Sequence, residues 1–131
     1  MQNGMGYKAI SFIIVSLFLI SCEDKNMDTY QKDQINEISI VETVDGSLKL
    51  TVTPILETLY ACPGILIKHE KDAVMVEFVR CRINDNCRVD VKANTDPDSP
   101  GSYNIILSND EKPIKINYHS DAIQVWPKSK G

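Results

Sequence analysis

The chain has 131 residues, with 14 basic and 18 acidic side chains and a formal net charge of −4. A chain of this length forms one domain with a modest core. Its acidic balance argues against nucleic acid as a partner, because proteins bind nucleic acids mainly by neutralising phosphates with basic side chains.

An uncharged, apolar segment lies near the start of the chain. Residues 9–21 follow a single lysine and end directly before a cysteine, in the sequence Leu19-Ile20-Ser21-Cys22. A basic residue, a short apolar core and a small residue before a cleavage point are typical of a secretory signal peptide. The segment is shorter than the about 20 residues that a membrane-spanning helix needs. We therefore predict a cleaved signal peptide over residues 1–21, with translation starting at Met1 or Met5.

The sequence Leu19-Ile20-Ser21-Cys22 resembles the lipobox of bacterial lipoproteins. The resemblance implies that Cys22 is lipidated, with acyl chains such as palmitate, and becomes the first residue of the mature chain. Each buried methylene contributes about 0.8 kcal/mol, so two or three acyl chains hold a protein stably on a membrane. The alternative is an ordinary signal peptide in which this cysteine is coincidental.

Residues 22–34 join the predicted anchor to the rest of the chain. They are polar and show neither a strand nor a helix period, so we predict a flexible tether with a span of about 20 Å. Glu23 differs from the aspartate that retains enterobacterial-type lipoproteins in the inner membrane. The pair Glu23-Asp24 resembles the acidic surface-export signal of Bacteroidetes-type lipoproteins. Both comparisons favour the outer membrane of the bacterial cell envelope over the inner one.

From residue 35 the apolar pattern changes to a period of two, which is typical of half-buried strands. Two such runs flank Asp45-Gly46, a pair that favours a two-residue type I′ hairpin turn. This turn places Glu42 opposite Lys49, a favourable cross-strand pair. We therefore predict that the domain begins at residue 35 with a β-hairpin.

A second hairpin is predicted over residues 65–70 and 73–83, with its turn at Lys71-Asp72 and Ile67 opposite Val76. A third turns at residues 84–86 and returns over residues 87–94, with Val79 facing Val89. Residues 95–102 are rich in turn formers and are expected to form a loop. The last strands are expected at residues 103–107, 114–118 and 122–126. Residues 35–131 are thus predicted to form one all-β domain, an antiparallel meander of about eight short strands arranged as a small β-sandwich or barrel.

Three cysteines remain once Cys22 is assigned to the lipid: Cys62, Cys81 and Cys87. An exported protein meets oxidising conditions, so we expect one disulfide and one free thiol. The hairpin registers place all three cysteines in a row on one face. Cys81–Cys87 is favoured because it depends on one register only, and Cys62 is the alternative partner of either. We interpret the bond as structural, because no Cys-x-x-Cys pair or histidine at zinc spacing accompanies it.

All arginines of the chain lie within nine residues, at Arg80, Arg82 and Arg88. The predicted third hairpin places Arg80 opposite Arg88, on the face away from the cysteines. Like charges facing each other destabilise a ladder, so a compensating group is expected. That group is either internal or external. The internal candidates are Asp85, Asp90 and solvent at a strand edge. An external group would be a carboxylate, a phosphate or an acidic loop of a partner.

No pattern typical of catalysis is found in the chain. There is no Gly-x-Ser-x-Gly, no His-Glu-x-x-His and no glycine-rich phosphate loop. The histidines, His69 and His119, are interpreted as strand-end side chains rather than metal ligands. We therefore predict a protein that is not an enzyme and that has no cofactor and no metal.

These observations lead to two functional hypotheses. The first is a membrane-anchored envelope lipoprotein whose β domain binds an unknown envelope protein or assists an envelope complex, as an inhibitor, immunity or accessory protein. The second is a periplasmic or surface binder of a small ligand or anion that uses Arg80, Arg82 and Arg88.

Overall fold

The computed structural model describes residues 28–127. The predicted signal peptide, Cys22 and the first part of the predicted tether lie outside the described residues. Between residues 28 and 127 the one helical element is a short 3-10 helix, η1 (Lys32–Gln34). A search of these residues finds no helix with the length and apolar character that crossing a membrane requires.

The described residues form β-strands in two main sheets and one two-stranded ribbon. The first sheet has the order β1-β2-β9-β8, the second β11-β10-β5-β4-β7, and the ribbon pairs β3 with β6. The strands are β1 (Ile35–Glu42), β2 (Leu48–Pro54), β3 (Tyr60–Ala61), β4 (Gly64–His69), β5 (Val74–Phe78), β6 (Cys81–Arg82), β7 (Val91–Lys92), β8 (Asn94–Thr95), β9 (Tyr103–Leu107), β10 (Ile114–Asn117) and β11 (Ala122–Trp126). The all-β prediction is confirmed, and the fold is sandwich-like. It is not a simple meander, since β5 and β10 pair in parallel.

The core lies between the two main sheets. Leu50, Val52 and Ile105 from the first sheet are fully buried, and so are side chains from the second. The two sets belong to one continuous cluster of apolar contacts. Alternation along β2, where every second residue is buried, shows the period of two that a half-buried strand requires.

The first predicted hairpin forms, but its register is one residue from the predicted one. Glu42 lies opposite Leu48 and not Lys49. The turn contains three residues instead of two: the Gly46 amide donates to the Thr43 carbonyl at 3.0 Å, and Gly46 has a φ of +91°. A type I turn followed by a left-handed glycine is the usual three-residue hairpin connection. The extra loop residue shifts the pairing by one.

The second hairpin has the predicted register, with Ile67 opposite Val76. Its second strand ends at Phe78, however, and the predicted third hairpin does not form. Instead of returning along β5, the chain turns at residues 82–85 and then pairs β7 with β4. The predicted facing of Val79 and Val89 was therefore wrong, because β4 offers β7 a free edge that the sequence pattern does not reveal.

The N-terminal boundary of the domain lies earlier than the predicted residue 35. Thr29 forms a β-bridge with Val79, and the Tyr30 amide donates to the Phe78 carbonyl at 2.9 Å. The Tyr30 side chain is buried in the core. Residues 28–34 therefore belong to the folded domain rather than to the tether, because the aromatic ring of Tyr30 is buried with the core.

Candidate functional site

The strands of the sandwich define two ends of the domain. The Arg80 end comprises residues 28–30, the loop over residues 55–59 and the ribbon of β3 and β6. The His69 end comprises the turns at residues 43–47, 70–73 and 108–113. Strand β4 begins at the first end and finishes at the second. Its six residues span roughly 16 Å at the usual rise of a strand.

Arg80 is the centre of a charged cluster at its end of the domain. Its Nε donates to Glu57 Oε1 at 3.1 Å, a second guanidinium nitrogen contacts the other Glu57 oxygen, and Nη1 donates to Asp28 Oδ2 at 2.9 Å. Its Cζ lies 3.6 Å from the centre of the Tyr60 ring. We call Arg80, Glu57, Asp28 and Tyr60 the Arg80 cluster. The two-pronged contact with Glu57 is the geometry that suits a guanidinium best.

The Arg80–Glu57 ion pair is mostly buried and therefore contributes to holding the fold together. The two side chains are only 17% and 16% exposed, whereas Asp28 is 56% exposed. The hydrogen bonds that Arg80 donates to Glu57 raise the pKa of Arg80 above its usual value. Because its donors are directed at two carboxylates, Arg80 holds residue 28 and the loop at Glu57 against the domain.

The three arginines do not form the predicted face. Arg88 is exposed and pairs with Asp90 at 3.2 Å. Arg82 lies on the ribbon, opposite Tyr60, and its side chain is exposed. The predicted facing of Arg80 and Arg88 was wrong, because it required the third hairpin. The sequence reading missed Glu57 and Asp28 as partners, since both lie more than 20 residues away along the chain.

The cysteines behave as the favoured interpretation predicted. Cys81 and Cys87 form a disulfide that closes the turn beyond β6. Cys62 is a free and buried thiol among the described residues. Burial raises the pKa of the Cys62 thiol to about 12. This thiol is therefore protonated at neutral pH and unreactive.

Three large apolar side chains are exposed at the Arg80 end. Leu56 is 93% exposed, Leu59 is 55% exposed and Ile83 is 59% exposed. We call these three residues the apolar tip. The Ile83 amide donates to the Leu59 carbonyl at 3.0 Å, which joins the loop over residues 55–59 to the disulfide-closed turn.

The His69 end carries a small cleft that is lined by residues of both main sheets. Its volume is about 140 Å³. Its floor is apolar, and His69, Ser108, Asp110 and Lys112 stand at its rim. We call it the His69 cleft. Val44, at the tip of the neighbouring hairpin turn, is fully exposed.

The two histidines lie at different ends of the domain. His119 Nε2 lies 3.4 Å from Thr29 Oγ1, at the Arg80 end. Residues 28–127 contain no group of three side chains placed to hold a metal ion.

Comparison with protein-family models found no match for the chain, and comparisons with curated proteins and with solved structures found no significant match.

Proposed function

We propose that the protein is a lipid-anchored protein of the bacterial cell envelope whose β domain binds a protein partner. The resemblance of residues 19–22 to a lipobox supports the anchor and, with Glu23-Asp24, an outer-membrane location. The His69 cleft supports the binding of a partner. The proposed role is recognition rather than catalysis.

The size of the His69 cleft is the observation that carries this proposal. Small-molecule sites usually have volumes of about 300–1,000 Å³, whereas the cleft has about 140 Å³. Protein interfaces commonly depend on a few side chains that fill pockets surrounded by polar groups. An apolar floor with His69, Asp110 and Lys112 at the rim fits one apolar side chain of a partner together with its polar neighbours.

The alternative, an anion binder that uses the arginines, has less support. Arg80 already contacts two carboxylates and lies mostly buried. Arg88 already contacts Asp90. An incoming anion would have to displace these carboxylates, and breaking the pair with Glu57 would leave a mostly buried charge without its partner.

The cleft can be tested by filling it. Ser108 is exposed and lines the cleft, so Ser108→Trp places a large ring at its mouth. Ser120 is an exposed serine at the Arg80 end, and Ser120→Trp is the matched control. Tagged, lipidated protein is crosslinked in cells, and the captured envelope proteins are quantified for the wild type and for each variant.

We expect one envelope protein to be captured by the wild type and by Ser120→Trp, and at least tenfold less by Ser108→Trp. Equal capture by all three would refute the role of the cleft, and no specific capture by the wild type would refute partner binding. The anchor has a separate test: Cys22→Ser should move the processed protein from the membrane to the soluble fraction.

A further inference from the structure

The apolar tip at the Arg80 end is not used by the proposed partner site at the His69 end. Leu59 and Ile83 line the same shallow depression, of about 270 Å³, together with Arg82, Asn84 and Asp85. The Cys81–Cys87 disulfide closes the turn that carries Ile83. Leu59 and Ile83 adjoin each other in this depression, and neighbouring exposed apolar side chains are typical of contact surfaces. Their position in the fold indicates what they contact.

The described chain begins directly beside the apolar tip. Arg80 binds the side chains of Asp28 and Glu57 with the same guanidinium. Its amide also donates to the Asp28 carbonyl at 2.8 Å. Glu57 follows Leu56 in the chain, so residue 28 is held next to the loop that carries the tip. The Arg80 cluster thus fixes where the chain leaves the domain.

Only five residues, 23–27, separate Asp28 from Cys22. At about 3.3–3.6 Å per residue, even a fully extended chain of this length reaches only about 20 Å. The Arg80 end therefore cannot lie more than about 20 Å from the lipidated residue, whereas the limit for the His69 end is greater by the length of the sandwich. The apolar tip is thus within reach of a membrane that holds Cys22.

We infer that Leu56, Leu59 and Ile83 rest on the lipid bilayer in which Cys22 is anchored. This inference rests on the proposed lipid anchor. Leucine and isoleucine side chains insert at the boundary between headgroups and acyl chains. Arg82 is exposed and lines the same depression as Asp85, and a guanidinium can bind a lipid phosphate. The short chain keeps the tip close to this surface, so contact requires no separate encounter.

Contact with the bilayer is measured by quenching of tryptophan fluorescence by brominated lipid. Leu59→Trp places the probe in the apolar tip, and Val44→Trp, at the His69 end, is the control at a fully exposed position. Each lipidated variant is reconstituted into phosphatidylethanolamine–phosphatidylglycerol vesicles with or without brominated phosphatidylcholine. The signal of Trp126, present in every protein, is subtracted by means of the parent protein.

We expect brominated lipid to lower the fluorescence of the Leu59→Trp probe at least twofold and to leave that of Val44→Trp unchanged. Flotation with the vesicles but equal quenching at the two positions would overturn this inference and leave the anchor standing. Failure to float would overturn the anchor and the inference together.

A protein partner is the competing occupant of the tip. The triple variant Leu56→Gln, Leu59→Gln, Ile83→Gln distinguishes the two in the crosslinking experiment. Loss of the captured protein in this variant, with no quenching of the Leu59→Trp probe, would show that the tip binds protein and not lipid. Unchanged capture together with quenching supports the bilayer.

Discussion

Gly64→Ala is expected to be among the most damaging single-methyl additions to this domain. Strand β4 begins at Gly64, which lies opposite Lys92 of β7. A Cβ at this position would lie 2.1 Å from the Val91 carbonyl oxygen and 2.9 Å from the Val89 Cβ. The nearest atom belongs to the backbone, so no side-chain rotation relieves the overlap. Strand β7 must move away from β4.

The cost follows from the contacts that such a movement strains. Overpacking of a core costs about 1–3 kcal/mol. The hydrogen bonds from Asp90 N to Ile65 O and from Ala93 N to Pro63 O flank the site, and each contributes about 0.5–1.5 kcal/mol. We therefore expect Gly64→Ala to lower the free energy of unfolding by about 3 kcal/mol. For a domain of about 100 residues this lowers Tm by about 12–24 °C.

Gly46→Ala is the matched control, because it adds the same methyl group at a different kind of site. Gly46 has a φ of +91° and no atom within 4 Å of the added Cβ. Only backbone strain opposes the change, at about 1 kcal/mol. Urea unfolding of the Cys22→Ser protein, followed by fluorescence, gives both values. A loss at Gly64 no larger than the loss at Gly46 would refute the reasoning.

Three further predictions concern the Arg80 cluster, the disulfide and the response to pH. Arg80→Met should lower the free energy of unfolding by about 2–3 kcal/mol, because it leaves Glu57 mostly buried and unpaired. Arg88→Met should change it by less than about 1 kcal/mol, because the pair with Asp90 is exposed. Equal urea midpoints for the two variants would contradict this. Replacing both Cys81 and Cys87 by Ser should cost about 2 kcal/mol, the loop entropy of a bond between residues six apart, and no change in the midpoint on reduction of the wild type would contradict it. Since burial raises the pKa of the Cys62 thiol from 9.0 to about 12, the unfolded chain loses this proton first. The contribution of this thiol to the free energy of unfolding should be constant below about pH 8 and fall as the pH rises through 9 towards 12. In Cys62→Ala the fall between pH 9 and 10 should be smaller than in the wild type, and the remainder comes from Tyr30 and Tyr118, whose pKa burial also raises. An equal fall in the two proteins would contradict this.

Several features set by neighbouring residues could be predicted from the sequence, although the register of the first hairpin could not. Strands β9 and β11 begin and end at the predicted residues. The second hairpin has the predicted register, because its turn and its apolar alternation agree. The Cys81–Cys87 bond follows from proximity along the chain, since only five residues separate the two cysteines and one turn brings their thiols together whichever strand pairs later.

Features set by competition between distant segments could not be predicted. Strand β7 pairs with β4 and not with β5. It uses the edge of β4 that stays free after β4 and β5 have paired. The available signal was Gly64, because a glycine in a strand often marks the close approach of another backbone. The same limit applies to the Arg80 cluster. Glu57 and Asp28 have no sequence relation to Arg80, so the arginines could be found but not their partners.

The two proposals together determine how the domain is oriented on the membrane. The Arg80 cluster fixes residue 28 at one end of the sandwich, and the His69 cleft opens at the other. An anchor at Cys22 and an apolar tip on the bilayer provide two points of attachment at the same end. Two points restrict tilting, which a single flexible tether does not. Under these two proposals the cleft is held away from the lipid, on the side open to a partner. Orientation raises the effective concentration of the cleft for a membrane-bound partner without any additional contact. A weak interaction with one side chain is therefore sufficient on the membrane, although the same interaction between soluble proteins would be transient.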